Sequence, residues 1–121
     1  MRKPKLIKYK RKEIIYLDFS DLKKKEAILD LEQLGGELIQ SQKINTALTL
    51  TNMENMFFDN QIRAHFIRIS RANAPYVKAG AVIGLYGLIS FMYQGFLKAT
   101  GRNIKLFKTR QEALDYLTSF S

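Results

Sequence analysis

Two rhythms of hydrophobic residues alternate along the chain: short unbroken apolar runs, and longer stretches with an apolar residue at every third or fourth place. The first rhythm, rich in β-branched and aromatic residues, predicts strands, and the second predicts amphipathic helices. EIIYLDFS (13–20) is the first such strand, and LIKYK before it pairs with it as a hairpin turning near Arg11 and Lys12. Ser20 or Asp21 offers an N-cap for a helix over 22–40, with Ala27, Leu31, Leu34 and Leu38 as its apolar face. Gly35 and Gly36 fall inside that helix and predict a kink or an end there. ALTLTNM (47–53) is the next strand, followed by the loop MENMFFDN. Asp59 caps a helix carrying Ile62, Phe66 and Ile69, which Pro75 terminates by disfavouring helical geometry in the residue before it.

Residues 79–97, AGAVIGLYGLISFMYQGFL, carry no charge and are long enough to span a bilayer. Gly80 and Gly84 even have the spacing of packed membrane helices. Against this, AVIGL is the short β-branched run of a parallel strand buried on both faces. Gly80, Gly84, Gly87 and Gly95 lower helix propensity, and the chain turns naturally between Gly84 and Gly87. The segment therefore reads as strand, turn and helix, with Leu88, Met92, Gly95 and Phe96 against a sheet and Gly101 just past the helix end, and not as a transmembrane span. IKLFKT (104–109) is a last strand; Thr109 and Glu112 form a capping box for a final helix showing Ala113, Leu114, Leu117 and Phe120 to the core.

The result is an α/β chain of four β-α units with an additional N-terminal strand, its helices flanking the sheet, in a single domain over 1–121. In a strand order 2-1-3-4 for the parallel strands, the switch point falls between those ending at Asp18 and Leu85. A cleft there is lined by Asp18, Ser20, Gly84, Tyr86 and Gly87, the candidates for binding a small ligand. The apolar loop supplies a second set of candidates: Thr51, Asn52, Phe57 and Phe58, with Met53 and Met56 beside them, as core or as a contact surface.

Composition changes the picture in three places. The 121 residues are 46% hydrophobic and 26% charged, ordinary for a globular domain. There is no cysteine, which excludes disulfides and thiolate chemistry. The net charge of +9 is concentrated in Arg2, Lys3, Lys5, Lys8, Lys10, Arg11 and Lys12, among which no acid intervenes. Such an arm reads as a lysine-protected edge strand, or as a contact for nucleic-acid phosphates or anionic lipid. No RNA-binding aromatic signature follows it, and no apolar core of a secretory signal. His65 is the single histidine, with no acidic pair beside it, and the glycines match no nucleotide-binding motif; neither cofactor nor metal is expected.

EIIYLDFSDLK, ALTLTN, PYVKAGAVIGLYGL and FLKATGRNIKLFKTRQEALDYL together resemble small bacterial SpoIIAA-like proteins of the STAS superfamily, over nearly the whole chain from Lys8 onward. The resemblance implies a mixed sheet flanked by helices and a cytoplasmic location. In the anti-sigma-factor antagonists of that superfamily, a serine at the start of the second helix is phosphorylated; the matching TNMENMFFDN has Thr51 and no serine, so that switch is not expected here. The expectation is a non-enzymatic regulatory or protein-interaction module. The alternatives are a ligand-binding protein or enzyme using the cleft near Asp18 and Tyr86, and a basic-arm adaptor.

Overall fold

The computed structural model describes residues 2–87, 90, 93–94 and 103–120. The described elements are β1 (Lys5–Tyr9), β2 (Lys12–Asp18), α1 (Lys25–Gln40), β3 (Ala47–Asn52), α2 (Asn60–Asn73), β4 (Val77–Ile83), β5 (Ile104–Phe107) and α3 (Arg110–Leu117). They form one five-stranded mixed sheet in the order β1-β2-β3-β4-β5. β1 runs antiparallel to β2, and the other strands are parallel.

The order corrects the expected 2-1-3-4 arrangement. Each crossover steps one strand further in the same direction. Right-handed connections then put α1 and α2 on one face, and no reversal creates a switch point. The back face is closed by α3. Because both faces are covered, β2 is buried at four consecutive residues: Ile15 and Leu17 point toward α1 and α2, Ile14 and Tyr16 toward α3. Each fully buried aliphatic side chain, such as Ile14, Ile28 or Leu50, contributes roughly 1.5–3 kcal/mol of transfer free energy.

The hairpin turns one residue earlier than expected, at Lys10 and Arg11, both with positive φ (49° and 66°), and Tyr9 faces Lys12 across the closing pair. Ile7 and Tyr9 pack on the α3 side, where Tyr9 Oη donates to Asp115 Oδ1 at 3.0 Å and Lys10 pairs with the same carboxylate at 3.2 Å. The basic arm is thus an edge strand paired with β2 from Lys5 to Tyr9.

α1 differs from expectation in three ways. It starts at Lys25 with no side-chain cap, because Ser20 and Asp21 belong to a turn ahead of it. It runs unbroken through Gly35 and Gly36. Its buried stripe is Ile28, Leu31, Glu32, Gly35, Gly36 and Ile39, so Ala27, Leu34 and Leu38 lie at the half-buried margin. The two glycines let the helix lie close: Leu17 of β2 packs against Gly35, and Ile69 and Asn73 of α2 pack against Gly36.

Other expectations hold. Asp59 Oδ1 accepts from the Ile62 amide at 2.8 Å as the cap of α2, which ends ahead of Pro75. Thr109 Oγ1 accepts from the Glu112 amide at 3.1 Å at the start of α3 and donates to the Glu112 carboxylate at 3.0 Å. In the uncharged segment, β4 ends at Ile83, the chain turns through Gly84 (φ 90°) and Gly87 (φ 64°), and Gly87, Ser90, Tyr93 and Gln94 are helical. The helix contacts expected of Leu88, Met92, Gly95 and Phe96, and the helix end at Gly101, lie outside the described residues. Among the described residues no helix is long and apolar enough to cross a membrane.

Candidate functional site

Parallel strands bring the carboxyl ends of β2, β3 and β4 to one edge of the molecule, and the loops that leave them are stitched together by backbone hydrogen bonds. Phe19 N donates to Asn52 O at 2.8 Å, and Met53 N to Ile83 O at 2.9 Å. Asp21 N donates to Glu54 O at 2.9 Å, and Phe57 N to Leu22 O at 2.9 Å. Side chains add to the lacing: Asn55 Nδ2 donates to Asp21 Oδ1 and Lys23 Nζ to Asn55 Oδ1, each at 2.8 Å. Asp21 (φ 61°), Asn55 (φ 55°) and Gly84 all adopt left-handed backbone, which Asp, Asn and Gly tolerate best. The loop surface is therefore preformed.

The ligand-binding candidates do not line one cleft. Asp18 and Gly84 leave strands separated by β3. Asp18 Oδ1 accepts from Ser20 N at 3.0 Å and Ser20 Oγ at 2.6 Å, closing a local turn that the sequence reading assigned to helix capping. Arg2 docks on the same residue, donating to Asp18 O at 2.9 Å with its guanidinium 3.6 Å from the carboxylate. Gly84 backs directly onto the Glu54 backbone. Gly87 is exposed, with open space where a side chain would project, and Tyr86 is 62% exposed.

The interaction candidates divide by burial. Met53 is core, and Met56 and Phe58 pack against that core, whereas Phe57 is 40% exposed. Asn52 is structural: its Nδ2 donates to Tyr16 Oη at 3.3 Å and its Oδ1 accepts from Glu54 N at 3.0 Å. Thr51 lies within β3, away from the start of α2, and faces the layer between the sheet and the helices. His65 stands apart on α2 with Arg68 Nη2 2.8 Å from its Nδ1; burial, and then the Arg68 charge, hold its pKa below the usual value.

One feature of this layer escaped the sequence reading. Glu32, on the buried stripe of α1, is only 7% exposed. Burial pushes its pKa up to about 8. It faces a cavity of about 60 Å³ between α1, α2 and the sheet, whose polar lining is Thr49, Thr51, Ser70, Asn73 and Tyr93. The available signal was its place in sequence, seven residues before Ile39 and four after Ile28 on the face that α1 buries. Among the described residues no cluster of His, Asp and Glu suits a metal ion.

No protein-family model matches the chain, and no curated protein matches it. Two solved structures share its fold. An uncharacterized protein of the DUF3478 family with a SpoIIAA-like fold, from Shewanella loihica PV-4, superposes with a TM-score of 0.75 at 15% identity, over 94% of this chain and 91% of that one. An anti-sigma-factor antagonist (STAS) domain protein from Planctomyces limnophilus gives 0.57 at 15% identity, over 97% and 99%. With its antiparallel β1, its parallel run from β2 to β5 and its helices on both faces, the chain has the SpoIIAA-like, STAS-type fold.

Proposed function

We propose that this chain is a non-enzymatic protein-interaction module of regulatory type, cytoplasmic, that receives its partner on the loops at the carboxyl ends of β2, β3 and β4. The observation that carries this reading is the pair of exposed aromatics, Phe57 and Tyr86, on neighbouring loops held rigid by the hydrogen bonds around Leu22, Glu54 and Ile83. Large aromatic side chains displayed on a preorganised surface are the usual anchors of a protein interface, because little conformational entropy is lost when they dock. One of the structures similar in fold is described as an anti-sigma-factor antagonist (STAS) domain protein.

The test uses the full chain with a photo-crosslinking residue placed at Glu54, between the two loops. In native lysate it is expected to trap a discrete partner. The double change of Phe57 and Tyr86 to Ser should abolish that adduct while the protein stays folded, at a cost of about 1–2 kcal/mol in unfolding free energy, since Tyr86 is 62% and Phe57 40% exposed. An adduct of undiminished yield in the double variant overturns the assignment.

A second reading rests on the arm. Lys3, Lys5, Lys8 and Arg11 are exposed, and the arm is joined to the fold through Arg2, Lys10 and Lys12. Binding of nucleic acid or anionic lipid through these four residues would fall steeply with salt and vanish when they are changed to Ser.

A further inference from the structure

Glu32 lies in the layer between the sheet and α1/α2, beneath the loop surface proposed for docking, and needs its own explanation. A carboxyl group is rarely buried, because leaving water strongly disfavours its charged form. The other members of its stripe are Ile28, Leu31, Gly35, Gly36 and Ile39, so an apolar residue would suit the site. Instead Glu32 shares the lining of the cavity with side chains that carry oxygen: Thr49 and Thr51 from β3, Ser70 and Asn73 from α2, and Tyr93, with Asn73 Oδ1 already accepting from Gln40 Nε2 at 2.9 Å. From the remaining strands the cavity receives apolar groups, Leu17 of β2, Val82 of β4 and Ile104 of β5, so Tyr93 is the one other titratable lining group among the described residues.

Size and charge select the occupant. The space of about 60 Å³ beside Glu32 is enough for a few water molecules or one small ion. A lone carboxyl repels anions. It also balances one positive charge, whereas a divalent ion ordinarily collects several carboxylates or keeps a shell of waters. Neutral and anionic oxygen donors suit a hard cation. We propose that this cavity is a binding site for one small monovalent cation, an alkali-metal or ammonium ion, with Glu32 as its counter-charge.

The site carries a built-in competition. Proton and cation claim the same carboxyl, so each cation bound at neutral pH expels the Glu32 proton. Apparent affinity rises about tenfold per pH unit while the acid is protonated and levels off once it has ionised.

Thermal unfolding of the full chain in sodium, potassium, ammonium or choline chloride of equal ionic strength, at about pH 6 and about pH 8.5, tests this. Choline is too large for the cavity and serves as the ionic-strength control. At least one small cation should raise the midpoint above that in choline, more at the higher pH, and the identity of that cation separates the alkali metals from ammonium. Glu32→Gln, which keeps the shape and removes the charge, should abolish the difference. Equal midpoints in all four salts at both pH values overturn the proposal, as does an unchanged cation response in Glu32→Gln. Should that variant fail to fold, Thr51→Val removes one lining oxygen and should weaken the response; an undiminished response overturns the site equally.

Discussion

Gly35 of α1 lies directly against Leu17 of β2: a Cβ on the glycine would sit 2.9 Å from both methyl carbons of the leucine. Leu17 is only 3% exposed, and it can withdraw only toward the small cavity that it lines. Gly35→Ala gains about 1 kcal/mol of helix propensity but meets an overpacking penalty of roughly 1–3 kcal/mol. The expected net loss is about 1 kcal/mol, read as a lower urea midpoint at unchanged slope. At Gly36 the nearest atom is Ile69 Cγ2, at 3.2 Å, on a half-buried side chain that can shift, so Gly36→Ala should be neutral or stabilising. Equal losses at both sites would contradict the packing described for α1.

Gly84 presents a harder constraint. Its φ of 90° excludes side chains on conformational grounds, and a Cβ would stand 2.4 Å from the Glu54 amide nitrogen, which is backbone and cannot rotate away. Gly84→Ala should destabilise by about 3 kcal/mol or more, and should also displace the β3–α2 loop that carries Phe57. Gly87, with nothing near its missing side chain, should tolerate Ala with the loss of only about 1 kcal/mol that its positive φ imposes. Denaturation midpoints of the two variants separate the effects.

These glycines show what a sequence does and does not disclose. The strand runs were legible because a strand buried on both faces must be continuously apolar, as in Ile14 to Leu17 and Ala79 to Ile83. The caps at Asp59 and Thr109 were legible because a side-chain oxygen two or three residues ahead of an amphipathic run has one common use. The buried stripe of α1 was not, since Glu32, Gly35 and Gly36 are residue types that ordinarily mark exposure or a break. Their burial is set by the approach of Leu17 and Ile69, contacts across the fold with no local signature. The strand order had none either, and the cleft built on it came apart. Asp18 and Ser20, read as site and cap, bond to each other. Of the aromatic candidates, Tyr86 and Phe57 stay on the surface, and that could not be told from pattern alone because Met53 and Phe58 beside Phe57 turn inward.

Glu32 gives stability a pH dependence whose sign follows from its burial. Its folded pKa, about 8, lies above the ordinary 4.5, so the folded state holds a proton that the unfolded chain releases. Below pH 4.5 both states are protonated and the group has no effect. Between 4.5 and about 8 the unfolded chain binds fewer protons, so stability falls as pH rises, by up to about 1.4 kcal/mol per unit, and above about 8 the loss is complete. His65, with a lowered pKa, acts in the opposite direction below 6.5. The useful quantity is therefore the difference between the parent and Glu32→Gln, measured by urea denaturation in choline buffers where no small cation competes. It should swing in favour of the variant as pH rises from 5 to 8; a flat difference would mean that Glu32 is hydrated or paired in solution.

The edge hairpin allows the reverse experiment, a stabilising change. Lys10 and Arg11 both occupy left-handed backbone, φ 49° and 66°, as the two central residues of a type I′ turn require. Neither lysine nor arginine favours that region, whereas Asn-Gly suits it. Replacing the pair with Asn-Gly relieves the strain at both positions. It also removes the exposed Lys10–Asp115 contact at 3.2 Å, an ion pair on the surface that contributes little, and leaves Tyr9 Oη on the same carboxylate. The double variant should be more stable by about 0.5–1 kcal/mol, seen as a higher urea midpoint. It also lowers the arm's charge without disturbing Lys3, Lys5 or Lys8, so any binding that depends on the turn itself would weaken while the fold grows firmer. A destabilised variant would show that the turn depends on the Lys10 or Arg11 side chains and not on the backbone they are made to adopt.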